Sequence, residues 1–173
     1  MFHFPDYVSS ERAFQLLTQV TGRAGRGNKL GKVFIQTYDP ENQLFKYIEK
    51  HNYKDFYTKE IQERESHLYP PFCKLTRIIF QSLDENECIE YANYIAKELR
   101  GESSEVKDEI SQLSFLGPAP CFFSKIQNKY RHHILCKLPN EETKLFIFNN
   151  LFQNLKKNAK VEVIVDVDSL NLL

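Results

Sequence analysis

Two arginines three residues apart stand in the run Gln19-Val20-Thr21-Gly22-Arg23-Ala24-Gly25-Arg26-Gly27. A guanidinium is planar, permanently charged and able to hold two phosphate oxygens at once, which the ammonium of a lysine cannot do. Small residues around it let another surface approach closely. The run therefore reads as a turn, fed by a helix that delivers Gln19, from which Arg23 and Arg26 emerge with guanidinium forks suited to triphosphate contact. Two other readings remain at the level of residues. Gly22-Arg23-Ala24-Gly25 has the form of the Gly-x-x-Gly loop with which KH domains clamp a nucleic-acid backbone, and the glycines also suit a plain helix terminus with solvated arginines. A dinucleotide fingerprint needs a preceding strand and is set aside.

A second concentration lies at Lys125, Lys129, Tyr130, Arg131 and Lys137. Residues 111–140 hold these four bases and no acid, whereas residues 81–110 hold nine acids and three bases. An aromatic ring flanked by cations can stack on a base or a guanidinium while the charges meet phosphates or a terminal carboxylate. The neighbours His132 and His133 fall on opposite faces of a strand, one expected buried and one solvated, which argues against joint metal ligation. Cys73, Cys88, Cys121 and Cys136 form no Cys-x-x-Cys pair and read as reduced packing residues. Tyr47, Tyr53, Phe56 and Tyr57 read as core aromatics. No carboxylate pair, nucleophile with base, or metal cluster stands out.

The elements that would position these groups follow from periodicity. Ser9 and Ser10 offer caps to a helix over 11–20, with Phe14, Leu17 and Val20 at helical spacing. Residues 33–38, β-branched and aromatic, read as a buried strand. Helical patterns cover 42–51 and 55–66, and Tyr69-Pro70-Pro71-Phe72 makes a stiff connector and domain boundary. Beyond it come a strand at 75–81 and a helix capped by Asp84 with Ile89, Ala92, Ile95, Ala96 and Leu99 on one side. A polar loop over 101–108 and a strand at 110–116, ended by Gly117-Pro118-Ala119-Pro120, follow. Strands 121–126 and 132–138 pair across 127–131. Asn140 then caps a helix with a stripe of Leu145, Phe148, Leu151, Phe152 and Leu155, and an alternating strand spans 161–167. These elements suit a ferredoxin-like (βαββαβ) sandwich with one sheet face under helices and the other available for contacts.

Composition bounds the classes. The 173 residues carry 23 bases and 23 acids, so overall charge names no partner. A 42% hydrophobic and 13% aromatic content excludes disorder. Apolar runs such as 145–148 are far too short to cross a bilayer, no secretion signal is visible, and a cytoplasmic location is expected.

The segment from Gln19 to Arg26 closely resembles motif VI of superfamily 2 helicases. Further stretches resemble, in order, the bacterial replication-restart helicases of that superfamily: Phe4-Pro5-Asp6-Tyr7, residues 33–40, Glu63-Arg64-Glu65, Tyr69-Pro70-Pro71-Phe72, Leu116-Gly117-Pro118-Ala119-Pro120, Lys129-Tyr130-Arg131 and Asp166-Val167-Asp168. The resemblance implies that residues 1–40 end a second RecA-like lobe, 41–72 are connecting helices with the proline-rich connector, and 73–173 form a ferredoxin-like C-terminal domain. It implies an ATP-dependent 3′–5′ DNA helicase that recognises stalled or branched forks and reloads the replication machinery. Gln19 and Arg23 would sense nucleotide, Gly22 would line its site, and Arg26 would be the arginine finger. ATP and Mg2+ would be needed in the longer protein. Implied partners of Lys125, Lys129, Tyr130, Arg131 and Lys137 are branched or single-stranded DNA, the acidic tail of single-stranded DNA-binding protein and other primosome proteins. Lys129 stands where the family usually has arginine, and the paired histidines replace an aromatic and a polar residue. The phosphate loop, the Asp-Glu-x-His magnesium motif and the family's cysteine-rich zinc-binding insert are absent from these 173 residues. The chain alone is therefore expected neither to hydrolyse ATP nor to unwind DNA. The alternative is a free-standing, non-catalytic nucleic-acid or protein-binding module.

Overall fold

The computed structural model describes residues 6–24, 31–104, 113–154 and 158–170, and the chain divides into two compact units, Met1–Ser66 and His67–Leu173.

The first unit packs α1 (Ser9–Thr21), α2 (Gln43–Glu49) and α3 (Tyr53–Ser66) around Ala13, Phe14, Leu44, Ile48 and Phe56. The Phe14 and Phe56 rings stack with centroids 4.3 Å apart. Ser9 and Ser10 are not the caps expected; both lie inside α1, and Val8 at the N-cap offers no side-chain acceptor. The buried Asp6 carboxylate replaces them, accepting from Val8 N at 3.1 Å and from Arg12 Nη1 at 2.8 Å. Asn42 and Asn52 cap the other helices by accepting from Leu44 N and Asp55 N. The aromatic set is only partly core: Tyr53 and Tyr57 are 60% and 51% exposed.

Residues 33–38 form no strand. Phe34 is 91% and Tyr38 99% exposed, contrary to the buried strand their composition predicts. A β-branched segment becomes a strand only when another backbone supplies its ladder, and none among the described residues pairs with it.

The second unit is mixed α/β: β1 (Lys74–Ser82), α4 (Glu85–Ser104), β2 (Ser114–Ile126), β3 (Lys129–Leu138), α5 (Glu141–Asn154) and β4 (Glu162–Val167). The strands make one antiparallel sheet in the order β2-β3-β1-β4. Central β1 turns Ile78 and Phe80 onto the helices, where they meet Ile134, Cys136 and Leu138 of β3, Ala92, Ile95 and Leu99 of α4, and Ile147 and Leu151 of α5. Each fully buried Ile, Leu or Phe among them contributes about 1.5–3 kcal/mol of apolar transfer. Asp84 caps α4 as expected, accepting from Asn86 N and Glu87 N at 2.9 and 3.1 Å. Asn140 caps α5 by accepting from Thr143 N at 2.8 Å.

Four expectations need correction. Helix α4 runs on to Ser104 instead of giving way to a loop at Gly101. The Gly117-Pro118-Ala119-Pro120 segment does not end a strand: β2 passes through it with a register slip. Proline is tolerated there because β2 is an outer strand of the sheet, where a missing N–H can face away from the ladder. The buried stripe of α5 is rotated by about one residue, to Thr143, Lys144, Ile147, Phe148 and Leu151, leaving Leu145 and Phe152 about half exposed. Lys144 can join it because its stem packs while Nζ reaches Glu141 at 2.7 Å. Finally, the helix-free sheet face is not simply open: Leu75, Arg77, Ile79 and Lys137 on it are all buried. Residues 105–112, with the expected start of a strand at Ile110, and Leu155 lie outside the described residues.

Candidate nucleotide and nucleic-acid sites

Helix α1 positions the first site. Its inner side is held by Phe14, by Glu11 accepting from Arg64 Nη2 at 2.8 Å, and by the Arg64 guanidinium lying 5.3 Å from the centre of the Tyr7 ring. Arg64 also binds Glu60 at 3.2 Å; burial nonetheless raises the Glu60 pKa, because desolvation outweighs the arginine. Gln15, Leu16, Gln19 and Val20 remain exposed on α1.

Past the helix, Gly22 N donates to Thr18 O at 2.9 Å, Arg23 N to Val20 O at 3.2 Å and Ala24 N to Thr21 O at 3.1 Å, so the backbone continues in helical turns. Gly22 keeps a right-handed φ of −66° and gives no special backbone at this point. Gln19 lies in the last turn of α1 and Arg23 in the turn that follows it. Both are exposed, and Arg23 pairs with no acid among the described residues. Gly25, Arg26 and Gly27 lie outside the described residues.

The second site is the β2–β3 hairpin. Gln127 and Asn128 form its two-residue turn, with φ of 50° and 63°; paired positive φ values match the right-handed twist of the strands they join. At the turn Lys125 stands over the Tyr130 ring, Nζ 4.2 Å from the centroid and 3.1 Å from the hydroxyl. Lys129 is paired with Glu162 at 2.7 Å. Arg131 is half-buried, and its Nε has no partner among the described residues. Lys137 stands apart from this group. It is buried, donates to His67 O at 2.7 Å and lies 3.7 Å from the centre of the Tyr69 ring, so it clasps the connector to the sheet, and burial lowers its pKa.

The histidines do face opposite sides of β3, but neither is simply solvated. His132 is 9% exposed and points to the helix side, where burial lowers its pKa. His133 lies across from Ile79, and its Nδ1 accepts from Arg77 Nε at 2.9 Å. Burial first, then the positive Arg77, lower its pKa to about 4. The four cysteines are free and buried. Among the described residues no three or more His, Cys, Asp or Glu gather to hold a metal, and no helix is long and apolar enough to cross a membrane.

Gly117 fixes the far end of this hairpin. Its φ is +107°, and a Cβ there would lie 2.7 Å from His133 O, so both strain and steric overlap oppose any side chain. Gly117→Ala should destabilise the second unit by about 1–3 kcal/mol; an unchanged urea midpoint would contradict the conformation described.

Sequence reasoning did not single out Phe122 and Phe123. Both are 50% exposed, their rings 5.1 Å apart and nearly perpendicular. The available signal was their adjacency: neighbouring rings on a regular strand must take opposite faces.

Residues 65–170 match the family model described as primosomal protein N C-terminal domain. The chain is 34% identical, over 99% of its length, to the Replication restart protein PriA of Synechocystis sp., of which it covers 20%. With the proteins of the same name from Chlamydia muridarum and Bacillus subtilis it shares 33% and 30% identity over 97% and 96% of its length, covering 22% and 20% of theirs. The chain thus spans about a fifth of the length of these curated relatives. With most of its second unit matched, the chain belongs to the primosomal protein N C-terminal domain family.

Proposed function

We propose that this chain is the C-terminal portion of an ATP-dependent 3′–5′ DNA helicase that recognises stalled or branched replication forks and reloads the replication machinery. The observation that carries the proposal is Arg23, exposed just past the end of α1, on whose last turn Gln19 is also exposed, and unpaired with any acid among the described residues. An amide and a guanidinium held out on a helix terminus suit a nucleotide bound by another segment of protein. ATP supplies the γ-phosphoryl to be transferred; Gln19 and Arg23 would orient it, Gly22 leaves room beside it, and Arg26 would neutralise charge developing on it.

The proposed organisation follows. Residues 1–40 would end a RecA-like lobe, and the exposed residues 33–38, β-branched and aromatic, suit addition to a sheet in the rest of the protein. Residues 41–72 would connect. Residues 73–173 would be a ferredoxin-like domain, a reading supported by the βαββαβ order and the strand sequence β2-β3-β1-β4. Purified alone, the chain should show no DNA-stimulated ATP hydrolysis, whereas the longer protein should show it and lose it when residues 6–24 are deleted. Turnover by the 173-residue chain, or by the deleted protein, would defeat the proposal.

In that protein the β2–β3 hairpin would touch DNA through Lys125 and Arg131, with Lys129 available once it leaves Glu162. The double variant Lys125→Ala with Arg131→Ala should bind forked DNA more weakly and lower the salt slope by about 2. An unchanged slope would remove phosphate contact from the hairpin.

A further inference from the structure

We infer that Phe123, braced by Phe122, is a stacking platform for an unpaired base, so that the hairpin takes single-stranded nucleic acid. Between Pro120 and Lys125 the pairing of β2 with β3 slips out of register, and a slip of this kind re-aims side chains. The two rings meet nearly edge-to-face, centroids 5.1 Å apart and planes at 87°, yet both residues stay half exposed on an outer strand of the sheet. Leaving so much apolar ring in water forgoes burial, which makes a partner for it the economical explanation.

Charge and geometry select the partner. Residues 111–140 contain no acid, so a polyanion meets no repulsion from within that segment. Two positions along the strand from Phe123, Lys125 lies over Tyr130, so the same hairpin carries a cation and a second ring. A ring next to a cation on an open hairpin matches a flexible strand whose bases can swing out to stack while its phosphates meet the charge. In a duplex the bases are already stacked within the helix, and their faces are not available to the rings.

The inference rests on the DNA contact proposed for the hairpin, and the test separates the two. The sequence contains no tryptophan, so the chain with Phe123→Trp has a single indole reporter at the platform. Oligothymidine of about fifteen nucleotides should quench its emission, whereas a duplex of equal length and an acidic peptide ending in a free carboxylate should not. Phe123→Ala should weaken oligothymidine binding about tenfold with the salt slope unchanged. Both variants should keep the wild-type thermal unfolding, because the ring is already half exposed.

Saturation with oligothymidine without quenching, while Lys125→Ala with Arg131→Ala still lowers the salt slope, would overturn the platform and leave backbone contact standing. Quenching by the acidic peptide alone would overturn it in favour of a protein partner. Absence of binding to any nucleic acid would overturn both readings.

Discussion

On the proposed function, replacing Arg26 by alanine in the longer protein should slow DNA-stimulated ATP hydrolysis by about 10³- to 10⁵-fold, equivalent to about 4–7 kcal/mol of barrier. Phosphoryl transfer asks little covalent chemistry of the protein. It asks for positive charge placed against the γ-phosphoryl oxygens as the bond to the leaving group loosens, and a guanidinium delivered from a second segment of protein supplies that charge at the moment it is needed. Arg23 and Gln19 should matter less. A charge-assisted hydrogen bond to the bound nucleotide is worth about 1.5–3 kcal/mol, so Arg23→Ala should cost about 10- to 100-fold, expressed in KM as well as in kcat. Lysine at position 26 should restore only part of the rate, since its point charge cannot bridge two oxygens. Steady-state ATP hydrolysis with saturating forked DNA checks the series. An Arg26→Ala enzyme within tenfold of the parent would remove the finger from this residue.

The readings that held were those with a local cause. Asp84 and Asn140 cap their helices because a short side chain before an apolar run can reach only the first free amides, and the β2–β3 pairing follows from two strand patterns joined by turn residues. What escaped the sequence depended on something distant. Residues 33–38 have every local property of a strand, but a ladder needs a partner backbone. Pro118 and Pro120 end a strand only where the missing amide is needed, and the position of β2 at the sheet's edge is a property of the whole topology. The buried stripe of α5 escapes apolar periodicity because it includes Lys144, whose stem is buried while its amine reaches Glu141. At the hairpin the sequence gathers five candidate side chains, and packing sorts them. Lys137 is used to hold the connector and Lys129 to hold Glu162, which leaves Lys125 and Tyr130 at the turn, Arg131 behind them, and the phenylalanines that sequence reasoning passed over.

The acid sensitivity of the second unit should centre on His133. In the unfolded chain this side chain titrates near 6.5, whereas burial among Arg77, His132 and Arg131 brings the folded value down to about 4. Between those values the unfolded state holds the extra proton, so stability rises with pH: it is complete above about 6.5 and is lost progressively as pH falls to about 4. The full difference is worth about 3 kcal/mol, a large fraction of the stability of a small domain. Protonation would also destroy the bond that positions Arg77, because Nδ1 could no longer accept from Nε. His132, whose pKa burial also lowers, adds a contribution of the same sign. Glu87, whose pKa is lowered by its bonds to Lys160 and Asn158, likewise favours the folded state at higher pH. The distinguishing variant is therefore His133→Asn, whose amide oxygen can still accept from Arg77 but cannot titrate. Urea unfolding followed by far-ultraviolet circular dichroism between pH 7 and about 4.5 should show the parent losing about 2–3 kcal/mol and the variant markedly less. Parallel losses in the two proteins would shift the sensitivity to His132 and the carboxylates, and would mean that His133 is not held below its ordinary pKa in the folded chain.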